Sequence, residues 1–393
     1  MRAAARPQAP IQRVRTPTGD PAWLVTGYDD VKALLSDPRL GRSHPDPDNA
    51  ARMSRSAIFG GPIGDPETEA AEHARMRRLL APSFSARQMN QLRPRVAGLV
   101  SELLGDLMHG SPPADFHQAV SFPLPALVIC ELLGVPVADR DDFRRWSDDA
   151  AHNTDTERSH AGLMQLWQYM GELVQRKRSE PADDVISSLV TSTDQHGSAD
   201  VDGVAMLGAG LLFAGHETTV AAIDRGVTLL LTNADQRDAL TQNPSLVPAA
   251  VEEILRSSLP VPTTADAPTG GLPRYAKTDV DFGGVTVAAG DLVLLGLDPA
   301  NHDPQHFPDP ERFDVSRTPN PHLSFGHGPR FCIGAPLARI ELRELFAALL
   351  DLCPDMTLAV PVGELHARDE LLTGGLSALP VTWPASPGAT REL

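Results

Sequence analysis

The chain has 393 residues, 41% of them hydrophobic, enough to bury a large core. Its formal charge of -17 argues against a general nucleic-acid binder, because neutralising phosphates needs a basic footprint. Residues 1–10 lack the apolar stretch of a secretory leader, no run of about 18 uncharged apolar residues follows, and three cysteines form no CxxC pair, so the reading is a cytoplasmic protein without a membrane anchor, disulfide framework or structural zinc.

In chain order, alternating apolar residues at 23–25 predict a short strand, and the same pattern with glycine turns at 280–295 predicts strands and hairpins. A 3.6-residue apolar period predicts helices over 29–36, 72–80, 94–108, 161–178, 201–231, 248–257 and 335–352. Proline-rich connectors occupy 259–273 and 303–321. With no internal repeat and no low-complexity linker, residues 1–393 read as one mainly α domain with minor β sheets. Cys130 and Cys353 sit in apolar runs and read as small buried hydrophobes.

Three of these helices carry polar groups that need an explanation. His73 and Arg77 are four residues apart, so they share one helix face and together suit a carboxylate. The apolar helix 201–231 is interrupted by Phe213-Ala214-Gly215-His216-Glu217-Thr218-Thr219, an acid and two hydroxyls that are costly in a core without a role. Gly215 weakens the helix by roughly 1 kcal/mol relative to alanine, which predicts a local opening beside a ligand. Glu253 and Arg256 form a Glu-x-x-Arg pair on the helix at 248–257.

The segment Phe325-Gly326-His327-Gly328-Pro329-Arg330-Phe331-Cys332-Ile333-Gly334 runs into the helix that begins at Ala335-Pro336. Cys332 therefore stands at a helix entrance, where free N–H groups and the helix dipole are expected to lower a thiol pKa from about 8.5 toward the thiolate, a metal ligand. Glycines before a helix also cradle phosphate. Against that use, Phe331 stands where a third glycine is required and Pro329 removes a backbone donor.

The decapeptide resembles the haem-binding signature of the cytochromes P450, Phe-Gly-x-Gly-x-(Arg/His)-x-Cys-x-Gly, with every defining position filled. The resemblance implies the P450 fold, a haem b cofactor, and Cys332 as the proximal iron ligand whose electron donation assists O–O cleavage. It places Phe325 near the sulfur, Gly326 and Gly334 in the haem-binding loop, and Arg330 on a haem propionate. The 214–218 stretch resembles the family's Ala/Gly-Gly-x-Asp/Glu-Thr, which implies Ala214 at the haem, Glu217 relaying protons inward and Thr218 holding dioxygen or its attendant water. By the same resemblance His73, Arg77 and Arg274 bind propionates, a task that planar bidentate guanidinium groups suit. Glu253, Arg256 and Arg312 would form a charged scaffold behind the cysteine loop.

So read, the protein is a haem-thiolate monooxygenase drawing two electrons from a ferredoxin and its NAD(P)H-dependent reductase, and hydroxylating, epoxidising or oxidatively coupling a small organic substrate. A peroxide-driven peroxygenase and a haem sensor without turnover are the alternatives, both disfavoured by the intact Glu217 and Thr218. Arg75, Arg78, Arg339 and Arg343 are candidates for a basic patch facing an acidic ferredoxin. Substrate-facing segments are expected at 43–63, 153–169, 207–217 and 261–272. There Ile58, Phe59, Ile63, Leu211, Leu212 and Phe213 offer apolar surface, and His216, Thr263, Thr264 and Asp266 offer hydrogen bonds. A medium-sized polyketide, terpenoid or peptide-derived metabolite fits that mixture. Two departures from the family pattern stand out: the chain starts later than many relatives, so its first helix is expected to be absent, truncated or replaced, and segment 257–273 is longer than usual.

Overall fold

The computed structural model describes residues 11–56, 60–152, 154–196, 201–258, 271–368 and 375–384. Near the start, β1 (Ile11–Arg15) and β2 (Pro21–Val25) pair antiparallel around a turn in which Gly19 takes φ 88°, a conformation open to glycine. There follow α1 (Tyr28–Leu35), β3 (Leu40–Gly41), α2 (Glu69–Leu80), α3 (Ala86–His109) and β4 (Ala114–Asp115). A π-helical turn, His117–Ser121, leads into α4 (Pro123–Leu133), α5 (Arg140–Ala151), α6 (Thr156–Ser179), α7 (Val185–His196), α8 (Val201–Thr232), α9 (Ala234–Gln242) and α10 (Val247–Arg256). The last part holds β5 (Leu272–Ala276), β6 (Val280–Phe282), β7 (Val285–Val287), β8 (Leu292–Leu295), α11 (Leu297–Asn301), α12 (Ala335–Leu352), β9 (Thr357–Leu358) and β10 (Pro380–Thr382).

The fold is mainly α, as expected, with a five-stranded sheet ordered β1-β2-β8-β5-β3 and a three-stranded sheet ordered β4-β10-β9. Helix α8 is the axis of the helical body and packs against α4, α5, α6 and α10. By length and composition α8 could cross a membrane, yet 67% of its most apolar window is buried inside the protein, so it is a core helix. The sheet has its own core, in which Trp23, Val25, Val31, Val293, Leu295 and Phe307 meet.

The helix over 335–352 matches its expected limits, and Cys130 and Cys353 are buried at 0% and 4% exposure as read. Helix α3 begins eight residues before the expected 94, with Ser85 capping Gln88 N–H and Pro94 inside it. Buried Met89, Val96, Leu99 and Val100 keep the apolar stripe continuous across that proline. Helices α4, α5, α7 and α9 escaped the periodicity. In α4 the reason is plain: Leu124, Ala126, Val128, Ile129, Cys130 and Leu133 are buried around most of its circumference, so no polar face marks a period. Pro273 belongs to strand β5, not to a connector; it pairs with Leu294 of β8, while β3 engages only Tyr275 and Ala276.

Behind the cysteine loop lies the expected charged network, with a different third member. Glu253 (0% exposed) accepts Arg256 Nε and Nη2 at 2.7 and 2.8 Å. It also accepts Arg317 Nε at 3.0 Å, Asn320 Nδ2 at 3.1 Å and the Asp314 N–H at 3.1 Å. Arg312 is not the third cation: its side chain is exposed, and only its carbonyl joins, accepting Arg317 Nη2 at 3.0 Å. Replacing Glu253 with Gln leaves Arg256 buried without its counter-charge, and a loss of about 3–5 kcal/mol in chemical denaturation is expected. Arg312→Ala, which keeps the carbonyl, is expected to stay within about 0.5 kcal/mol of wild type.

Candidate active site

The cysteine loop is held by its own backbone before α12 begins. Cys332 N–H donates to Phe325 O at 2.8 Å, Gly326 N–H to Leu323 O at 2.7 Å and Phe331 N–H to Gly328 O at 3.0 Å. Gly326 and Gly328 take φ values of 72° and 70°, and a Cβ on Gly328 would collide with Ser36 at the end of α1. Phe325 packs edge-on to Phe331 and lies under the Arg339 guanidinium, 4.5 Å from its ring centre.

Burial raises the Cys332 thiol above its ordinary pKa, and the opposing pull of the Gly334 and Ala335 N–H groups, Arg77 and Arg339 does not overcome it. The expected lowering by the helix entrance is thus not achieved by the chain alone. Although deep in the protein, Cys332 is open on one side, where it faces a cavity of about 470 Å³.

Helix α8 lines the same cavity with Leu211, Ala214, Gly215, Thr218 and Ala222, an i, i+3, i+4 stripe. The expected opening of the helix is absent. Thr218 Oγ1 donates to Ala214 O at 2.8 Å within a continuous α-helix, and Gly215 serves close packing: a Cβ there would lie 3.1 Å from Ile129 Cδ1 of α4. Leu212 and Phe213 are in the core at 0% and 2% exposure, so of the expected apolar trio only Leu211 reaches the cavity. Nor is His216 a cavity residue. It is 1% exposed, donates from Nε2 to Phe122 O at 3.1 Å, and places Nδ1 3.6 Å from Oε1 of Glu217, itself 3% exposed.

Beside the cysteine loop, four segments bring cations together. Arg274 from β5 and Arg42, which follows β3, are both pulled down to about 10, by burial first and then by neighbouring guanidinium groups that include Arg330. His73 of α2 is also lowered, by burial, then by Arg330 and Arg77. The carboxylate these cations share is Glu69. Burial pushes it up, but hydrogen bonds from Ser43 and the Arg42 N–H, together with Arg330, hold it at about 2. Arg330 bonds Glu69 directly, and Arg77 Nη1 donates to Phe331 O at 2.5 Å.

The structure therefore gathers His73, Arg77, Arg274, Arg330 and the Phe325–Gly334 loop as expected, and adds Arg42 and Glu69. No local pattern marks those two: Arg42 follows a two-residue strand, and Glu69 precedes the periodic part of its helix. Of the candidate ferredoxin patch, Arg339 and Arg343 turn to Glu252 at 2.7 and 3.7 Å, whereas Arg75 and Arg78 are exposed on α2. The described parts of 43–63 and 153–169 do not line the cavity; Phe84, Ile129 and Leu297 do. Ile58, Phe59, Asn153, Thr263, Thr264 and Asp266 lie outside the described residues.

An iron porphyrin needs a soft axial ligand, an enclosed apolar slot and cations for two carboxylates. Cys332 opens onto such a slot. Half-buried Arg42 and buried Arg274, each lowered by burial first and then by other cations, mark a local excess of positive charge that two propionates would balance. The residues fit haem.

Comparison with known proteins agrees. Residues 147–353 match the family described as Cytochrome P450. Pentalenolactone synthase of Streptomyces exfoliatus is 44% identical over 385 residues, covering 97% of this chain and 94% of its own length. Mycinamicin IV hydroxylase/epoxidase of Micromonospora griseorubida is 42% identical over 377 residues, 95% and 92% of the two chains. The substrate-free structure of PimD, the epoxidase of the polyene macrolide antibiotic pimaricin, superposes with a TM-score of 0.83 at 42% identity, covering 96% of this chain and 93% of that one. Similarity of this degree, over nearly the whole of each chain and on the single-domain P450 fold, places the protein in the cytochrome P450 family of monooxygenases.

Proposed function

We propose that the protein binds haem b through Cys332 and places one atom of dioxygen into a C–H or C=C bond of a natural product, the other atom leaving as water. Two protons and two electrons balance the reaction, the electrons coming from a ferredoxin reduced by an NAD(P)H-dependent reductase in the cytoplasm. The observation that carries this reading is that Cys332 and Thr218 line one cavity, with Arg42 and the buried Arg274 beside the cysteine loop.

When bound, haem supplies the reductive activation of dioxygen. The chain's contributions follow from position. Cys332 Sγ would hold the iron; Arg42, His73, Arg274 and Arg330 would take the propionates; Ala214 and Gly215 keep their part of the cavity wall free of bulky side chains. Thr218 Oγ1 gives its own hydrogen to Ala214 O, which leaves its lone pairs on the cavity wall to accept from and orient a proton-carrying water, and the Glu217 carboxyl supplies the proton from the flank of the helix. Phe84, Ile129, Leu211 and Leu297 exclude water and suit a largely apolar substrate. The mycinamicin and pimaricin enzymes are named for hydroxylation and epoxidation, the second of a polyene macrolide, which supports the polyketide member of the expected class of medium-sized polyketide, terpenoid or peptide-derived metabolites.

Carbon monoxide bound to the reduced wild type is expected to give the red-shifted Soret maximum of thiolate ligation, and Cys332→Ser to lose it; a wild type without that maximum overturns the assignment. Glu217→Ala and Thr218→Ala are each expected to lower product formed per NAD(P)H about 10²-fold, with reducing equivalents escaping as hydrogen peroxide. Stopped-flow reduction by ferredoxin is expected to slow about tenfold in the charge-reversed Arg75→Glu/Arg78→Glu variant, with substrate affinity unchanged.

A further inference from the structure

We infer that His216 is a positioning residue for Glu217: anchored by the Phe122 carbonyl, its ring holds a titratable proton against the Glu217 carboxyl on the side of α8 away from the cavity. The inference rests on the reading of Glu217 as proton donor given above.

Successive residues of an α-helix are about 100° apart, so Thr218 on the cavity wall leaves Glu217 on the flank and His216 at the back. There His216 Nε2 lies 3.1 Å from Phe122 O. A carbonyl oxygen only accepts, so Nε2 keeps its hydrogen in every protonation state, and the variable proton belongs to Nδ1. That atom stands 3.6 Å from Glu217 Oε1. The anchor is itself fixed: Phe122 N–H donates to His117 O at 2.9 Å across the π-helical turn, and the Phe122 ring meets His216 edge-on, centres 4.8 Å apart.

With Nδ1 protonated, a Glu217 that passes its proton inward is left facing an imidazolium; with Nδ1 bare, it faces a lone pair instead. The step balances over the two side chains. A proton leaves the Glu217 carboxyl toward the cavity from Oε2, the Nδ1–H bond breaks as an Oε1–H bond forms, and one proton from water is taken up at Nδ1. Because Nε2 stays occupied, the ring stores a proton without conducting one through. Donation is therefore favoured below the imidazole titration and lost as pH rises through it.

Among the described residues, further charged groups stand around Phe122. His117 of the π-helical turn bonds Asp224 of α8 at 2.9 Å, and against the effect of burial that bond raises its pKa. Beyond Phe122, Asp141, Arg145 and Asp148 of α5 and Arg368 surround a second pocket of about 520 Å³.

The test uses the haem-loaded full chain with ferredoxin and reductase, and compares wild type with His216→Gln, whose amide can still donate to Phe122 O but does not titrate. Product per NAD(P)H is expected to fall about tenfold in wild type as pH rises through the neutral range, and to be flat and low in His216→Gln. A second readout is independent of turnover. In infrared spectra of protein with ¹³C-labelled glutamate, the band that disappears in Glu217→Gln is expected to shift over the same pH range in wild type but not in His216→Gln. Should His216→Gln fail to load haem, His216→Asn makes the same comparison. A limb and a band shift that persist without His216 overturn the inference and assign the titration to His117, which that variant retains. If Glu217→Ala leaves coupling intact, the reading of Glu217 falls instead, whatever His216 does.

Discussion

Glu253 never touches Cys332, yet the position of the sulfur depends on it. Its buried carboxylate binds Arg256, and Arg256 Nη1 donates to Asn301 O at 2.9 Å. Asn301 then holds the approach to the cysteine loop: Oδ1 accepts Leu323 N–H at 2.7 Å and Nδ2 donates to Ser324 Oγ at 2.9 Å. Leu323 O receives Gly326 N–H, and Phe325 O receives Cys332 N–H. A series of hydrogen bonds, joined by the backbone itself at Phe325–Gly326, thus runs from the end of α10 to the sulfur-bearing residue, across a stretch from 302 to 327 that contains no helix or strand. A carboxylate taken wholly out of water needs nearly complete hydrogen bonding to be tolerated, and Glu253 obtains it by pinning that irregular chain.

Charge acts in the opposite sense on the other side of the loop. The chain carries a formal charge of -17, but around Arg42, Arg274 and Arg330 the local balance is positive, and that repulsion adds to burial in lowering the pKa of Arg42 and Arg274. Glu69 offsets part of that charge and also ties the head of α2 to the backbone of Arg42 and Ser43. The sulfur shows the complementary imbalance. Two N–H dipoles do not match the cost of burying a thiolate, so the charge of a bound cation has to supply the rest.

What the sequence disclosed and what it hid divide along the range of the interactions. The cysteine loop and α12 were legible because glycine, proline and helix periodicity act within a few residues. The cation basin was legible in part, since His73 and Arg77 share a helix face, whereas Arg42 and Glu69 acquire their roles from partners far along the chain: Glu69 and Arg330 are 261 residues apart. Arg317 in place of Arg312 is the same limitation at closer quarters. Both flank the same turn, and only the path of the backbone decides which side chain meets Glu253 and which contributes a carbonyl. Lowering of the Cys332 pKa was misjudged because helix-entrance dipoles are visible in a sequence and depth of burial is not.

The run Ala214-Gly215-His216-Glu217-Thr218 shows how one packing contact can organise several functions. Read on sequence alone, Gly215 weakens a helix; in the fold it admits Ile129 of α4, whose Cδ1 and Cγ1 would lie 3.1 and 3.3 Å from a Cβ at that position. The approach of α4 that requires this glycine also delivers the carbonyl of Phe122, the residue just before α4, to His216 on the next position of α8. The small residue and the anchored ring are therefore two results of the same helix crossing. Any side chain at 215 that pushed α4 outward would also draw the carbonyl from the histidine, and the spacing of the motif reflects that coupling as much as the chemistry at Thr218.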